Sequence, residues 1–314
     1  MVDSNIEYAV LEVTSHALAQ NRFASINFDY GVFTNISSEH LDYHKDFDSY
    51  LLTKAKLIDK SNIVVLDSDD QKNFEKLSNY SKERKKIVAQ YGKDSFVDKK
   101  LLISIKESLI KNFPGEYNIE NALAALSVYS LVTSKSFSED LAFRFEGMQG
   151  LPGRFEQIPN NLGINIIVDF AHTTNSLKQV LTLVNEQKQQ SSKVILVFGC
   201  AGLRDQTKRT PMGQVAGSLA DLVIVTAEDP RTENLDKINE KIVEGIKKSN
   251  GTYIIEKDRK NAILKAIENA EKGDFVVITG KGHEKSMCFG IKEYPWSDQD
   301  AVKEILKVMH LRGA

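Results

Sequence analysis

Five short apolar runs in the second half of this 314-residue chain constrain its fold more than any other feature. They are Ile164–Phe170, Val194–Phe198, Leu222–Thr226, Tyr253–Ile255 and Phe275–Thr279. Between the first two, Leu177, Val180, Leu181 and Val184 recur at i, i+3, i+4, i+7. Ile238, Ile242, Val243 and Ile246 form a second such stripe, and Ala262, Ile263, Ala266 and Ile267 a third. Runs rich in β-branched residues that alternate with amphipathic helices predict an α/β domain with a mainly parallel sheet. Such sheets take ligands beyond the carboxyl ends of their strands. Four of the five runs end there in polar or glycine-bearing tips: "DFAHTTNS", "GCAGLRDQTKR", "AEDPRTEN" and "GKGHEKS". One such tip is ordinary loop chemistry; four together point to a site.

The first half is α/β but less regular. Strand signals lie near 6–13, 31–35 and 63–66, and helix signals near 47–60 and 117–133. Residues 68–100 read as a solvated helix and loop. "EGMQGLPGRFE", residues 146–156, has no period and reads as a linker. The expected domains are 1–148 and 149–314, in keeping with about 150 residues per domain. A net charge of −2 argues against nucleic acid as the main partner. No apolar run reaches the ~18 residues of a membrane span, and the N-terminus has no basic region or cleavage site. Two cysteines, Cys200 and Cys288, form neither a zinc spacing nor a disulfide framework, so a reducing cytoplasm is expected.

Several groups could carry chemistry. "LEVTSHALAQNR" (11–22) sets Glu12, Thr14, Ser15 and His16 at the end of an apolar run. "TNISSEHLDYH" (34–44) sets His40 and His44 after another. If those runs are neighbouring strands, Glu12 and His40 converge, and an oxygen-rich pair there suits Mg²⁺. Lys54 falls on the apolar stripe of Phe47, Tyr50, Leu51 and Ile58; it either snorkels or sits in a dry site with a shifted or modified amine. Asn118 and Asn121, at the start of an Ala-rich helix, either cap it or read a base edge. Arg204, Lys208, Arg209 and Arg231 put four cations on two tips, which suggests an anionic ligand. Gly280 and Gly282 offer close approach. Glu284 beside the cations suits a ligand that also carries an ammonium. No G-x-x-x-x-G-K-[ST] phosphate loop is present; Gly280-Lys281 is followed by Gly282.

Taken together, "LEVTSHALAQNR…VFTNISSEHLDYH…YLLTKAKLI", "LPGRFE", "VDFAHTTNSL", "VFGCAGLRDQTKR", "TAEDPRTEN" and "ITGKGHE" resemble, in order and spacing, the Mur ligases, the ATP-dependent amino-acid ligases of peptidoglycan synthesis, in their diamino-acid-adding branch. The resemblance implies a Mur ligase central domain, here incomplete, followed by a Rossmann-like C-terminal domain. It implies that Glu12, His40 and a carbamylated Lys54 serve Mg²⁺, and that Thr14, Gln20 and Arg22 contact the UDP-N-acetylmuramoyl dipeptide. Asn118, Asn121, Arg154, Asp169 and His172 would serve ATP. Arg204, Glu228, Asp229, Pro230, Arg231, Gly280 and Glu284 would bind the incoming diamino acid. The implied enzyme is a cytoplasmic monomer with no nucleic-acid or membrane partner.

The sequence departs from the family in places. The second tip usually reads Gly-Gly-Asp-Arg-Asp; here Ala201 and Leu203 replace a Gly and an Asp. Diaminopimelate-adding members usually carry Asp-Asn-Pro-Arg; here Glu228-Asp229-Pro230-Arg231 stands there. Arg231 is kept and would grip the distal carboxylate of meso-diaminopimelate, which lysine lacks. Thr174-Asn175 replaces the usual Pro-Asp. The family's uridine-nucleotide domain and phosphate loop would precede "EVTSH", so the expectation is an incomplete copy or a part supplied by another chain. The alternatives are a lysine-adding or other Mur-type or folylpolyglutamate-type ligase, or a non-catalytic ligand-binding remnant.

Overall fold

The structure, a computed structural model, describes residues 5–36, 44–93, 99–109, 112–135, 145 and 147–313. The chain divides into two compact units, residues 1–109 with 116–146 and residues 110–115 with 147–314.

In the first unit, β1 (Phe28–Phe33), β2 (Ser61–Asp67) and β3 (Ile87–Tyr91) form a parallel sheet in that order. Helix α1 (Ser15–Ala19) precedes it, α2 (Phe47–Asp59) and α3 (Gln71–Glu83) make the crossovers, and α4 (Lys99–Leu109) and α5 (Glu116–Thr133) follow. Helix α2 starts where it does because the Asp46 carboxylate accepts the Ser49 N–H at 2.7 Å. Its Tyr50, Leu51, Ala55 and Ile58 join Leu18, Phe33, Val64, Leu66 and Leu77 in one core.

Two expectations for this unit are corrected. Residues 6–13 form no strand: Tyr8 and Leu11 are exposed and Val10 is 99% exposed. A strand exists only as half of a hydrogen-bonded pair, and among the described residues no ladder reaches this run. Conversely, the stretch read as helix and loop contains β3. Its exposed Ile87 and half-buried Val88 and Ala89 give a weak apolar signal, as an edge strand does. β3 ends on buried Tyr91, whose hydroxyl donates to the carbonyls of Phe33 (3.0 Å) and Thr34 (3.2 Å) and ties down the end of β1.

In the second unit six strands lie in the order β4-β5-β9-β6-β7-β8. They are β4 (Glu156–Ile158), β5 (Asn165–Asp169), β6 (Val194–Phe198), β7 (Leu222–Val225), β8 (Tyr253–Ile255) and β9 (Phe275–Thr279). All pairs are parallel except β4 with β5. Helices α6 (Thr174–Gln187), α7 (Arg209–Leu219) and α8 (Leu235–Lys248) follow β5, β6 and β7. Their three predicted or newly seen stripes cover one face of the sheet with Ile167, Leu196, Val223 and Val277. Helices α9 (Arg259–Glu268) and α10 (Asp298–Gly313) cover the other with Ile166, Val197, Ile224 and Ile278. Each aliphatic side chain buried this way contributes about 1.5–3 kcal/mol.

All five apolar runs are strands, each within a residue or so of its expected bounds. The short β4, helices α7 and α10, and the hairpin of β10 (Ser286–Phe289) and β11 (Lys292–Pro295) are additions. The hairpin escaped notice because its strands are four residues each and β11 is exposed throughout. Helices α7 and α8 touch at backbone distance. A Cβ on Gly213 would lie 2.0 Å from the Ile242 carbonyl oxygen, and one on Gly245 2.0 Å from that of Thr210.

The topology sets the site. β9 lies between β5 and β6, whose onward connections leave over the α6–α8 face, while the chain beyond β9 runs to the hairpin and to α10 on the other. The chain thus changes face at the carboxyl end of β9, the kind of place where open α/β sheets take ligands.

Candidate active site

In the second unit the four tips are knitted together. The Gly280 N–H donates to the Asp169 carbonyl (3.2 Å) and the Gly202 N–H to that of Asp229 (3.0 Å). Lys208 Nζ donates to the His172 carbonyl (2.7 Å).

Asp169, at the end of β5, is buried and accepts the N–H groups of Phe155 and Ala171, both at 2.7 Å. Burial raises its carboxyl pKa, and those two N–H bonds oppose the rise. Beside it Phe170 carries the Arg154 guanidinium at 4.6 Å from its ring centroid, with the His172 and His283 rings at 4.6 and 4.9 Å. His172 Nδ1 lies 3.0 Å from the Phe170 carbonyl oxygen. Arg154, Asp169 and His172 thus come together around Phe170, which sequence reasoning had passed over.

At the β7 tip, Glu228 is buried and its Oε2 has no hydrogen-bond partner among the described residues. Gly280 has φ +109°, which favours glycine, and a Cβ there would meet that oxygen at 2.7 Å. Burial pushes the Glu228 pKa up to about 7, against the pull of Lys208, Arg259 and Lys281. Asp229 Oδ1 accepts from Lys281 Nζ (2.8 Å) and the Cys288 N–H (2.9 Å). Arg231 Nη1 donates to the Gly202 carbonyl (2.8 Å), and Nη2 lies 3.6 Å from Asp229 Oδ2. The Lys281 side chain is 1% exposed and also pairs with Glu284 at 2.5 Å. Burial works against its ammonium, but Asp229 and Glu284 outweigh burial and hold its pKa above the ordinary lysine value.

The structure thus joins Glu228, Asp229, Pro230, Arg231, Gly280 and Glu284, and adds Lys281, which the sequence does not single out as a site residue. Arg204 is exposed on the β6 tip. Arg209 departs from the reading of four ligand-facing cations: it is buried and forks onto Glu233 at 2.6 and 2.8 Å, with a bond to the Ala201 carbonyl. It fastens the β6 tip to the β7 tip.

In the first unit Thr14 is the N-cap of α1, accepting the Ala17 N–H at 3.2 Å, and Gln20 is its C-cap. Glu12, Thr14, Gln20 and Arg22 are exposed on this short segment. Behind it the His16 and His44 rings meet edge-on at 5.8 Å, His44 and Tyr50 at 5.4 Å, and Lys54 Nζ lies 5.5 Å from the Tyr50 centroid. Lys54 is half-buried on α2, and this file of rings leads from it to α1. His40 lies outside the described residues. Among the described residues no three His, Cys, Asp or Glu side chains gather as a metal-ligand set. Asn118 and Asn121 sit inside the first two turns of α5, which begins at Glu116, so neither is its N-cap. Asn118 is half-buried and Asn121 exposed.

A family profile described as the Mur ligase middle domain matches residues 1–129, and one described as the Mur ligase glutamate ligase domain matches residues 153–282. A UDP-N-acetylmuramoyl-L-alanyl-D-glutamate–2,6-diaminopimelate ligase of Caldanaerobacter subterraneus is 35% identical over 98% of this chain, and a ligase of the same name from Fusobacterium nucleatum is 37% identical over 96%. The chain spans 65% and 64% of the length of these two relatives. A solved structure of a ligase of that name is 28% identical, with a TM-score of 0.54 over 98% of this chain and 66% of the other.

Proposed function

We infer that this chain, which belongs to the Mur ligase family, serves an ATP-dependent ligase that joins a diamino acid, meso-diaminopimelate, to UDP-N-acetylmuramoyl-L-alanyl-D-glutamate in peptidoglycan synthesis. One observation carries the reading of the second unit: Arg231, Glu228, Glu284 and the buried Asp229–Lys281 pair meet at the ends of β7 and β9. Acids and bases interleaved at one place suit a ligand bearing both carboxylates and ammonium groups.

The reaction runs in two steps. The glutamate carboxylate attacks the γ-phosphorus of ATP and releases ADP, giving an acyl phosphate. The diamino acid's amine then attacks the acyl carbon; phosphate leaves and the amine's proton goes to solvent. The protein's part is positioning and charge neutralisation. In the second unit Arg154, His172 and Asp169 would serve the nucleotide, since the cationic and imidazole groups around Phe170 suit phosphate oxygens; Asn118 and Asn121 are the first unit's own candidates for its base. Thr14, Gln20 and Arg22, exposed on one segment, would contact the muramoyl peptide. Arg204, Glu228, Pro230, Arg231, Gly280 and Glu284 would bind the diamino acid.

An ammonium repels a cation, so Lys54 would fit a magnesium site only once carbamylated, when it would add a carboxylate to the proposed ligands Glu12 and His40. Mg²⁺ there would offset charge on the transferring phosphoryl group. Among the described residues no helix is long and apolar enough to cross a membrane, and we place the enzyme in the cytoplasm as a monomer, with the domain boundary at 148.

Titration calorimetry of the 314-residue protein with meso-diaminopimelate and with lysine tests the reading. Diaminopimelate should bind more tightly than lysine. Arg231→Ala should weaken diaminopimelate about 10- to 100-fold, the loss of a charge-assisted contact, and leave lysine unchanged. Equal binding of both ligands before and after the change would remove the carboxylate grip, and no binding of either would defeat the assignment.

A further inference from the structure

We propose that Asp229 is a positioning residue: together with buried Lys281 and the β10–β11 hairpin it sets the backbone of Arg231, and it is not itself a ligand contact. The inference deepens the proposed function, and its ligand-binding test rests on that reading.

The backbone supplies the first argument. Asp229 and Arg231 both have left-handed φ, +42° and +52°, on either side of Pro230. Two non-glycine residues hold such conformations only where their surroundings over-determine them. Here the hairpin does so. The Arg231 N–H donates to the Cys288 carbonyl (3.1 Å), and the Gly290 N–H donates to the Arg231 carbonyl (2.9 Å). Arg231 thereby pairs with Phe289 as an extra rung of parallel sheet.

The side chain supplies the second. Asp229 Oδ1 already accepts the Lys281 ammonium and the Cys288 N–H, and Oδ2 faces Arg231 Nη2. Both hydrogen bonds on Oδ1 are spent inside the fold, and Oδ2 stands in an ion pair at 3.6 Å, too long for a hydrogen bond. The Asp229 contacts link the β7 tip, the β9 tip and the hairpin around Arg231. Lys281, sealed from solvent, supplies the charge that lets an aspartate stand where the family usually has asparagine. An asparagine at 229 would keep an acceptor for the Cys288 N–H but strip Lys281 of one of its two anionic partners.

The test uses four variants of the full chain: Asp229→Ala, Asp229→Asn, Lys281→Met and the double change Asp229→Asn/Lys281→Met. Amide exchange is followed by mass spectrometry on peptides covering 286–291, with peptides of α6 as the control for global opening. Asp229→Ala should speed exchange at Cys288 and Gly290 by roughly tenfold or more, the loss of about one net hydrogen bond, and leave α6 unchanged. In calorimetry with meso-diaminopimelate, Asp229→Asn and Lys281→Met should each weaken binding about tenfold. The double variant should recover most of that loss, because a neutral pair leaves no orphaned charge. Unchanged exchange in Asp229→Ala would overturn the inference. So would a double variant no better than Asp229→Asn, the result a direct ligand contact gives. If the unaltered protein binds no diaminopimelate, the functional reading fails while the exchange measurements still decide the positioning role.

Discussion

Two lysines show how differently the two units handle charge. Lys281, in the second, is enclosed and held between two carboxylates at 2.5 and 2.8 Å. Lys54, in the first, is half-buried beside an aromatic ring. The second unit builds around buried ion pairs, including Arg209 on Glu233 and Arg259 on Asp298. Most ion pairs of the first lie at the surface, such as Arg84 with Asp59 and Lys76 with Asp48. A buried ion fixes geometry because every partner is obligatory; an exposed one can trade its partner for water. The second unit should therefore respond to single substitutions far more steeply than the first.

The largest expected effect is at Arg259. It forks onto Asp298 and donates to the Ala227 and Thr279 carbonyls, all buried. Arg259→Met leaves Asp298 charged and nearly alone and should lower the second unit's unfolding free energy by about 3–5 kcal/mol, measured by urea melts; a loss below about 1 kcal/mol would mean the buried network does not behave as a unit. Next is the pH response of Glu228. Its folded pKa of about 7 lies above the ordinary carboxyl value, so the folded state binds the extra proton. Stability should fall as pH rises from roughly 4.5 to 7, by about 3 kcal/mol in all. Glu228→Gln should flatten that fall; an unchanged pH profile would assign it to another group.

In the first unit the strongest test is Tyr91→Phe. It strands the Phe33 and Thr34 carbonyls at the end of β1 and should cost about 1–2 kcal/mol in the same melts. Smallest of all is Arg84→Ala, which removes a surface pair with Asp59 and a stack on Tyr80; less than about 1 kcal/mol is expected. A larger cost at Arg84 than at Arg259 would invert the contrast between the units.

What could be read from the sequence follows the same division. The stripes of α6, α8 and α9 and the five apolar runs were legible because burial on both faces of a parallel sheet writes itself as composition and period. The glycine-bearing tips were legible because close approach demands glycine, as at Gly280. The apolar run at 6–13 misled, because apolar content does not supply a hydrogen-bonding neighbour. β3 and the hairpin hid because exposed strands carry polar residues. The destinations of Arg209 and Lys281 were illegible for another reason: a cation in a tip reads the same whether it meets a ligand or a carboxylate more than twenty residues away, such as Glu233 or Asp229.

The hairpin's hold on the β7 tip also has a consequence in time. The Cys288 N–H reaches Asp229 across 59 positions of chain, a closure that adds entropy cost without adding any local contact beforehand. During synthesis the tip holding Arg231 emerges well before the strand that shapes it. The grip of this unit is therefore among the last things the nascent chain acquires, and a ribosome paused between the two would carry the tip without the hairpin that sets it.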